Sequence, residues 1–324
     1  MKIVVMGGSG FIGTNLIDLL EAEACTILNL DIRKPKKRGH DGYFKCVDLL
    51  DFESLLKNLK NFDPDYIVNL AARTDLDGLS VDEYRVNTDG VSNILECCKR
   101  LSTLNRVIFA STKLVTPTDA LVSDLNDYQP DTLYGESKAI GEKIIESNGH
   151  IRNWIIVRPT SIWGPWSIAD HIPYGMFFKI IEKGRYVHPA IIDQPRYFGY
   201  VENTCYQIYS LLLHPSDTVL RKKFYLADYE VYNIFDWANL ISEAFGKKPI
   251  RKLPRPLVFL LAYIGDLAKL CGWKTVPFSS FRLKNMAANT TKVPLENTKN
   301  LVPKLPFSIK GGVNRTVNWI QNLE

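Results

Sequence analysis

Apolar and polar residues follow two spacings in the first half of the chain, and the two spacings alternate. Short apolar runs predict strands at 2–6, 25–31, 66–70, 106–111 and 154–158. Between them, apolar residues that recur every three or four positions predict helices at 14–24, 52–59, 86–100 and about 134–147. Apolar strands joined by helices are typical of sheets covered on both faces, so the pattern predicts an α/β fold with a doubly wound parallel sheet.

The alternation stops after Pro165, and the last hundred residues are less regular and rich in proline. We therefore expect a smaller, discontinuous C-terminal substrate domain, formed by about 166–195 and 236–324. Residues 1–165 and about 196–235 would form the nucleotide-binding domain. A closing helix is predicted at 313–322.

The stretch 257–271 is strongly apolar, although Asp266 and Lys269 interrupt it. Because the chain contains no uncharged run of 18 residues, we expect no membrane-spanning helix. The stretch favours a helix in the core or at an interface. A helix at a membrane surface or along a substrate channel is the alternative.

Three glycines, Gly7, Gly10 and Gly13, lie between the first predicted strand and the first predicted helix. In this position they would allow a tight turn, a close approach of a phosphate and close packing of the helix on the sheet. The helix N-terminus would then present free N–H groups to a pyrophosphate. Asp31 ends the second strand, where a carboxylate can bind the ribose of a dinucleotide. The motif predicts a Rossmann-type dinucleotide-binding domain rather than a simple turn.

The type of dinucleotide depends on the charges near Asp31. Its carboxylate would repel a 2′-phosphate, which favours NAD, and NADP is the less favoured alternative. The basic run RKPKKR at 33–38 could neutralise such a phosphate or could be a solvated loop. Further along the chain, Asp48 could accept a hydrogen bond from the adenine amino group, with Leu49 beside the ring. Asp48 could instead cap the next helix, although Asp51 is the better candidate for that cap.

Tyr134 and Lys138 form a YxxxK pair that lies on one face of a predicted helix. A phenol titrates near 10, so it is a weak base at neutral pH unless a nearby positive charge stabilises its anion. With such help, Tyr134 could exchange a proton with a hydroxyl or a carbonyl. Ser111 and Thr112 end the preceding strand, and either hydroxyl could orient the reacting oxygen; both could also be ordinary turn residues.

Composition and charge narrow the classes of function. The 324 residues carry 40 basic and 35 acidic side chains, and the basic run at 33–38 accounts for the whole excess. A nucleic-acid partner is therefore not indicated. The six cysteines form no CxxC motif and no zinc-binding spacing with histidine, so we expect no metal site and a cytoplasmic location.

Several motifs together resemble the extended short-chain dehydrogenase/reductase superfamily, in its NAD-dependent epimerase/dehydratase branch. They follow one another over roughly residues 1–205 and read VVMGGSGFIGTNL, DYIVNLAA, VNTDGVSNILECC, FASTKLV, YGESKAIGE, RPTSIWGP and RYFGYVEN. The resemblance implies a catalytic triad of Thr112, rather than Ser111, with Tyr134 and Lys138. It also implies cofactor contacts from Gly7, Gly10, Phe11, Ile12, Asp31, Asp48, Leu49, Leu70, Ala71, Ala72, Asn87, Tyr134, Lys138 and Thr160. Asn87 has an alternative as a buried polar residue at a helix start.

The chain departs from the family pattern at positions that bear on the substrate. Ser161 stands where many nucleotide-sugar enzymes of the family carry asparagine, and Lys113 and Leu114 stand where the 4,6-dehydratases carry an Asp-Glu pair. A dehydratase is therefore disfavoured, because elimination of water needs a further acid and base. Arg196 matches an arginine that often meets the nucleotide diphosphate, or it forms an interdomain salt bridge. Ser111, Ser161 and Arg196 are the predicted substrate contacts.

These observations favour an NAD-dependent nucleotide-sugar epimerase or 4-keto reductase, with a small-molecule nucleotide sugar as substrate. A hydroxysteroid-type alcohol dehydrogenase is the first alternative, because the apolar stretch at 257–271 looks more like that branch. An NAD(P)-binding sensor without catalysis is the second. The resemblance further implies a homodimer built through a four-helix bundle of the helices at 86–100 and 134–147.

Overall fold

The computed structural model describes residues 1–117, 124–167, 174–190, 195–270, 280 and 293–322. Within these ranges the strands are β1 Lys2–Met6, β2 Thr26–Asp31, β3 Phe44–Cys46, β4 Tyr66–Asn69, β5 Arg106–Ala110, β6 Trp154–Pro159, β7 Ser161–Trp163, β8 His188–Pro189, β9 Phe198–Tyr200, β10 Lys222–Leu226 and β11 Lys252–Leu253. The helices are α1 Phe11–Ala22, α2 Phe52–Phe62, α3 Asp89–Cys98, α4 Leu133–Ser147, α5 Tyr174–Glu182, α6 Val201–Leu212, α7 Ile234–Ala244, α8 Arg255–Leu270, α9 Glu296–Leu301 and α10 Ile309–Gln321.

Seven strands form one sheet in the order β3-β2-β1-β4-β5-β6-β10. Every neighbouring pair in this sheet is parallel. The order reverses between β1 and β4, where the carboxyl ends of the strands open a crevice for a ligand. The predicted doubly wound, Rossmann-type α/β fold is confirmed.

Alternate residues of β1 enter two different apolar layers. Ile3 and Val5 pack with α1 and α6 on one face, whereas Val4 and Met6 pack with α2 and α3 on the other. All four side chains are fully buried. Burying an aliphatic side chain of this size stabilises the fold by about 1.5–3 kcal/mol, so both faces hold the sheet in its register.

The segment after residue 196 returns to this sheet. Helix α6 packs against α1, and β10 pairs in parallel with β6 at the edge of the sheet. The smaller sheets pair β7 with β9 and β8 with β11, and α7 packs against α10. Rings surround Trp163 here, with ring centroids of Tyr200 and Trp237 at 5.0 and 5.2 Å. The division of the chain into two domains stays a prediction.

One predicted helix differs in its start. The pattern predicted a continuous helix over 86–100, but residues Val81–Asn87 form a 3-10 helix and α3 begins only at Asp89. Thr88 separates the two with φ −119° and ψ −70°. The reason lies in Asn87, whose side chain is held by hydrogen bonds to Arg73 rather than facing solvent on a helix.

The stretch 257–271 forms most of α8, with Cys271 outside the described residues. Its interpretation as a core helix is wrong, because Phe259 and Tyr263 are 61% and 64% exposed. Only a narrow stripe that includes Val258 and Ala262 is buried. A search of the described part of the chain finds no helix with the length and apolarity needed to span a bilayer.

Candidate active site

The glycine turn lies against the ends of two strands. Gly7 donates its backbone N–H to the carbonyl of Leu30 at 2.8 Å and has φ +78°. A Cβ atom at Gly7 would lie 2.6 Å from the backbone nitrogen of Ala71. The left-handed backbone and this close approach both require glycine. The turn therefore brings β1, β2 and the segment after β4 together.

The next two glycines form the start of α1. A Cβ atom at Gly13 would lie 2.3 Å from the Gly7 carbonyl oxygen, so the helix can pack this closely only without a side chain. Gly10 is the N-cap and offers no side-chain cap, and the first turn contains no acidic residue. The N–H groups of the first turn, which include those of Phe11 and Ile12, therefore remain for an anion. This arrangement fits the pyrophosphate of NAD.

Asp31 lies beside this turn at the end of β2. Its carboxylate accepts hydrogen bonds from the backbone N–H groups of Ser9 at 3.1 Å and Arg33 at 3.0 Å, and the residue is largely buried. A carboxylate held here fits a ribose hydroxyl and repels a 2′-phosphate. In the basic run, Lys37 forms an ion pair with Asp18 at 2.8 Å. At least one of the basic side chains therefore already has an acidic partner.

Asp48 and Leu49 follow β3. Asp48 is exposed and accepts the N–H of Leu50 at 2.9 Å, whereas Asp51 caps α2 by accepting the N–H of Ser54 at 3.1 Å. Asp51 is thus the helix cap, as the sequence suggested, and the alternative for Asp48 is wrong. Leu49 is buried in the core. The adenine contacts of both residues stay predictions.

Asn87 connects the nucleotide side of the crevice to α4. Its Oδ1 accepts the N–H of Arg73 at 3.1 Å, and its Nδ2 donates to the Arg73 carbonyl at 3.0 Å and to Ser137 Oγ at 2.9 Å. Ser137 in turn donates to the Tyr134 carbonyl at 2.7 Å. These bonds hold the segment that follows Leu70, Ala71 and Ala72 against the helix that carries Tyr134. They favour the interpretation of Asn87 as a buried structural residue.

Helix α4 packs tightly against the turn that carries Thr112. The Thr132 hydroxyl caps the helix by accepting the N–H of Gly135 at 3.0 Å. A Cβ atom at Gly135 would lie 2.2 Å from the Leu114 carbonyl oxygen, so only glycine permits this contact. The close contact brings Tyr134, the next residue toward the N-terminus, next to the end of β5.

The Thr112 side chain lies close enough to the Tyr134 hydroxyl to lower the pKa of that phenol. Both residues are buried, and the Tyr134 ring lies 6.4 Å from the ring of Tyr84. Burial raises the pKa of Tyr134 to about 12, and the Thr112 side chain opposes that rise. Without a bound cofactor, the structure therefore favours the neutral phenol.

Lys138 lies one turn along α4, and its ammonium donates to the Ala110 carbonyl at 2.8 Å. Burial lowers the pKa of Lys138 to about 8, while the negative charge of Glu142 opposes that shift. The spacing correctly predicted that Tyr134 and Lys138 share a helix, but the ammonium is directed at the strand end. Its effect on the acidity of Tyr134 stays a prediction.

Ser111, the other predicted hydroxyl, donates to the carboxylate of Glu142. The same carboxylate accepts from Arg158 at 2.9 and 2.7 Å and from the Tyr128 hydroxyl at 2.9 Å. The Ser111 hydroxyl thus belongs to a buried ionic cluster, and we do not assign it a substrate contact. This cluster is not predicted above, although two signals for it are present in the sequence: Glu142 lies four residues after Lys138, and the apolar β6 strand contains the charged Arg158.

Three further predicted residues lie after β6 and before β9. Thr160 is buried and donates from Oγ1 to the Leu226 carbonyl at 3.2 Å. Ser161 is exposed at the start of β7. Arg196 is half-buried, and its backbone pairs with that of Tyr232 at 2.8 and 2.7 Å. The cofactor role of Thr160 and the substrate roles of Ser161 and Arg196 stay predictions.

One group of side chains in the described part of the chain has the spacing of a metal site. Asp18, Glu21 and His40 place ligand atoms within 4.8 Å of one another. However, Lys37 and His40 both contact the same Asp18 oxygen, at 2.8 and 2.6 Å. Since Lys37 already neutralises this carboxylate, we assign no metal to the group.

Comparison with known proteins agrees with this architecture. The model of the NAD dependent epimerase/dehydratase family matches residues 3–234, more than two thirds of the chain. The chain is 27% identical to N-acetyl-alpha-D-glucosaminyl-diphospho-ditrans,octacis-undecaprenol 4-epimerase of Escherichia coli O157:H7, over 98% of this chain and 95% of that protein. It is 25% identical to a 3 beta-hydroxysteroid dehydrogenase/Delta 5-->4-isomerase of Mycobacterium tuberculosis, over 79% of this chain and 73% of that protein.

A solved structure shares the whole fold. The UDP-glucuronic acid 4-epimerase of Bacillus cereus, solved in complex with NAD, superposes with a TM-score of 0.74 and 20% identity, over 100% of this chain and 99% of that chain. The family match confirms the resemblance, the enzyme class and the NAD cofactor that the sequence predicted. The chain belongs to the NAD-dependent epimerase/dehydratase family.

Proposed function

We propose that this enzyme is an NAD-dependent 4-epimerase of a sugar carried on a diphosphate, with a nucleotide sugar as the expected substrate. The observation that carries the proposal is the meeting of three buried side chains, Thr112, Tyr134 and Lys138, at the carboxyl end of β5, where the Lys138 ammonium donates to the Ala110 carbonyl. This strand end lies on the same edge of the sheet as the glycine turn of β1. A sugar hydroxyl bound there would meet Thr112 and Tyr134 next to the nicotinamide.

In this proposal Tyr134 takes the proton of the C4 hydroxyl and later returns it to the 4-keto sugar. Thr112 donates a hydrogen bond to the same oxygen and keeps it in reach of the phenol. Lys138 holds the nicotinamide ribose hydroxyls and supplies the positive charge that a phenolate needs. Bound NAD would accept hydride from C4 and return it to either face of the ring.

The pKa shifts of Tyr134 and Lys138 explain why the proposed reaction needs both side chains and the cofactor together. Burial alone makes Tyr134 a poor base, with its pKa raised to about 12. Burial also brings the pKa of Lys138 down to about 8, and the Glu142 carboxylate helps to retain its proton. A charged Lys138 and the positive nicotinamide ring would both lower the pKa of Tyr134. We therefore expect Tyr134 to become an effective base only in the loaded enzyme.

The experiment is a substrate panel analysed for the C4 epimer. Purified protein is incubated with UDP-, GDP- and dTDP-sugars, with a polyprenyl diphosphate sugar and with sterols, and products are resolved by NMR. NAD is released by acid and measured for each preparation. Retained NAD and epimerised sugar without net NADH support the proposal. Stoichiometric use of NADH or NAD with a sugar would identify the 4-keto reductase instead.

A hydroxysteroid-type dehydrogenase is the second candidate. The exposed apolar face of α8 and the similarity to the mycobacterial hydroxysteroid enzyme favour it. Turnover of sterols alone, with stoichiometric NADH, would exclude the sugar epimerase. If nothing in the panel reacts although NAD is bound, the sensor without catalysis becomes the better account.

We infer that the enzyme is a homodimer that pairs α3 and α4 of two copies. The two helices pack side by side, so two copies would form a four-helix bundle. Light scattering on the eluted protein tests this, with a dimer mass expected and a monomer mass contradicting it. The cytoplasmic location, expected from the cysteines, stays a prediction; the described cysteines are free thiols.

A further inference from the structure

Helix α8 exposes a broad apolar face that the proposed reaction does not use. Six apolar side chains of this face are between 42% and 64% exposed. We call them the α8 face: Leu257, Phe259, Leu260, Tyr263, Ile264 and Leu267. Single exposed apolar residues are normal on a protein surface. Six on three turns of one helix form a continuous patch, and such a patch marks an interaction site.

The geometry of α8 shows how wide this patch is. At 3.6 residues per turn, the α8 face covers an arc of roughly 160° around the helix axis. Val258 and Ala262 occupy the narrow buried stripe on the other side. Within 257–267, Asp266 is the single charged residue. The exposed side of the helix is therefore almost entirely apolar.

The charge of the surrounding segment is equally one-sided. Residues 247–292 contain ten basic residues and one acidic residue, whereas the rest of the chain contains 30 basic and 34 acidic residues. Lys247, Lys248, Arg251 and Arg255, which precede or begin α8, are exposed. The molecule thus combines its apolar patch with a strongly positive segment.

We propose that the α8 face docks the enzyme onto the surface of an anionic lipid bilayer. An apolar helix face buries itself at the boundary between headgroups and acyl chains, and basic residues beside it attract anionic lipids. Phe259 and Tyr263 are of the type that is enriched at this boundary. The helix is about 24 Å long and carries Asp266, so it lies in the interface rather than across the membrane.

The charge argues for a bilayer over the other possible occupants. A second copy that covered the patch symmetrically would bring two strongly positive segments together, and like charges repel. Residues 271–292 of the same chain carry four basic residues and no acidic residue, so they would leave the positive charge uncompensated. An anionic surface satisfies both the apolar and the basic features. This inference does not depend on the identity of the sugar.

Vesicle flotation of the full-length enzyme tests the proposal. The protein is mixed with vesicles of phosphatidylcholine, with or without phosphatidylglycerol, and floated on a density gradient. We expect at least about tenfold more protein in the floating fraction with the anionic vesicles, and a decrease at high salt. A wild-type protein that remains at the bottom with both vesicle types would overturn the proposal.

Substitutions with charged residues distinguish specific binding through the α8 face from nonspecific adsorption to vesicles. Leu260→Glu combined with Ile264→Glu is expected to reduce flotation by about tenfold or more. Leu79→Glu is the matched control, because Leu79 is 90% exposed and lies far along the chain from α8. Lys247→Glu combined with Arg251→Glu should weaken binding to the anionic vesicles. Thermal melting and NAD binding of each variant must match the wild type.

Other occupants give different results. If flotation is unchanged in the Leu260→Glu, Ile264→Glu variant, the α8 face is not the docking surface. If the wild type does not float but is an oligomer that this variant converts to monomers, a second copy covers the face. If it does not float and hydrogen exchange finds α8 protected by residues 271–292, the chain covers its own patch. Each of these outcomes contradicts docking of the enzyme onto a bilayer through the α8 face.

Discussion

The ammonium of Lys138 donates a 2.8 Å hydrogen bond to the main-chain carbonyl of Ala110, the last residue of β5. This bond fastens α4 to the strand end that continues into Thr112. It also holds a buried lysine at the position that we propose for the nicotinamide ribose. Replacement of Lys138 therefore removes both the contact with the strand end and the proposed contact with the ribose.

We expect Lys138→Met to impair both turnover and cofactor binding. Loss of the positive charge leaves Tyr134 a weaker base, which lowers kcat by about 10²–10⁴-fold. Loss of a charged hydrogen bond to the ribose raises the Kd for NAD by about tenfold or more. Steady-state kinetics and calorimetry measure the two effects. Lys143→Met, an exposed lysine on the same helix, should change neither, and an unaltered Kd in Lys138→Met would remove the ribose contact.

We expect Asp31 to set the preference for NAD over NADP. Asp31→Ala should reduce the ratio of the two affinities by about tenfold or more, because the carboxylate no longer repels the 2′-phosphate. The same change also removes the acceptor for the N–H groups of Ser9 and Arg33. Asp31→Asn keeps an acceptor oxygen and so isolates the charge. The Kd values of both dinucleotides for cofactor-free protein measure the effect; a constant ratio contradicts the assignment.

Two glycine substitutions separate cofactor binding from folding. Gly13→Ala should destabilise the protein by about 1–3 kcal/mol, because the added Cβ atom would collide with the Gly7 carbonyl oxygen, which the turn holds in place. At Gly10 the nearest atom to an added Cβ is the Gly7 carbonyl oxygen at 3.2 Å. Gly10→Ala should therefore fold, but bind NAD at least about tenfold more weakly, since the methyl group occupies the phosphate side of the turn. Melting curves and calorimetry distinguish the two, and normal NAD binding by Gly10→Ala contradicts the proposed phosphate site.

Asp228 makes stability depend on pH. Burial raises the pKa of this carboxyl from 3.8 to about 6, against hydrogen bonds from Tyr232, Asn203 and the Tyr200 N–H. Between these values the folded state binds more protons than the unfolded state, so stability falls as pH rises through this range. The contribution is fully present below pH 3.8 and decreases by about 3 kcal/mol above pH 6.

Urea unfolding of the wild type and of Asp228→Asn measures this contribution, because the variant lacks the titrating group. The free energy of unfolding of the wild type, relative to that of the variant, should fall by about 2 kcal/mol between about pH 4 and pH 7. Other titrating groups affect both proteins alike and cancel in the difference. A difference that does not change with pH contradicts the account of Asp228.

The strands and the glycine turn could be predicted because local sequence determines them. A short apolar run such as 2–6 is stable as a strand in a sheet that helices cover on both faces. Gly7 and Gly13 lie where a Cβ atom would collide with the backbone. The contacts of hydroxyl groups could not be predicted in the same way. Ser111 and Thr112 are adjacent and chemically alike, yet Ser111 donates to the buried Glu142 carboxylate whereas Thr112 accepts the N–H of Leu114.

Two errors have a common origin in tertiary structure. The helix predicted over 86–100 starts late because Arg73, distant in sequence, holds Asn87. The apolar residues of 257–271 predict a helix in the core or at an interface, and the core position is the part that is wrong. An apolar pattern shows that a surface must cover the helix, but it does not identify that surface. In the structure, Phe259 and Leu260 are exposed.

The most direct test of the proposed chemistry is the C4 epimerisation rate of Tyr134→Phe, measured together with its NAD content. The phenyl ring keeps the buried packing against Tyr84 and loses only the hydroxyl that lies beside Thr112. Tyr43→Phe, which removes a hydroxyl bonded to Glu21, is the control and should retain full activity. We predict that Tyr134→Phe binds NAD as the wild type does and loses about 10²–10⁴-fold in kcat. Turnover equal to that of the wild type would contradict the assignment of Tyr134 as the proton-transferring residue.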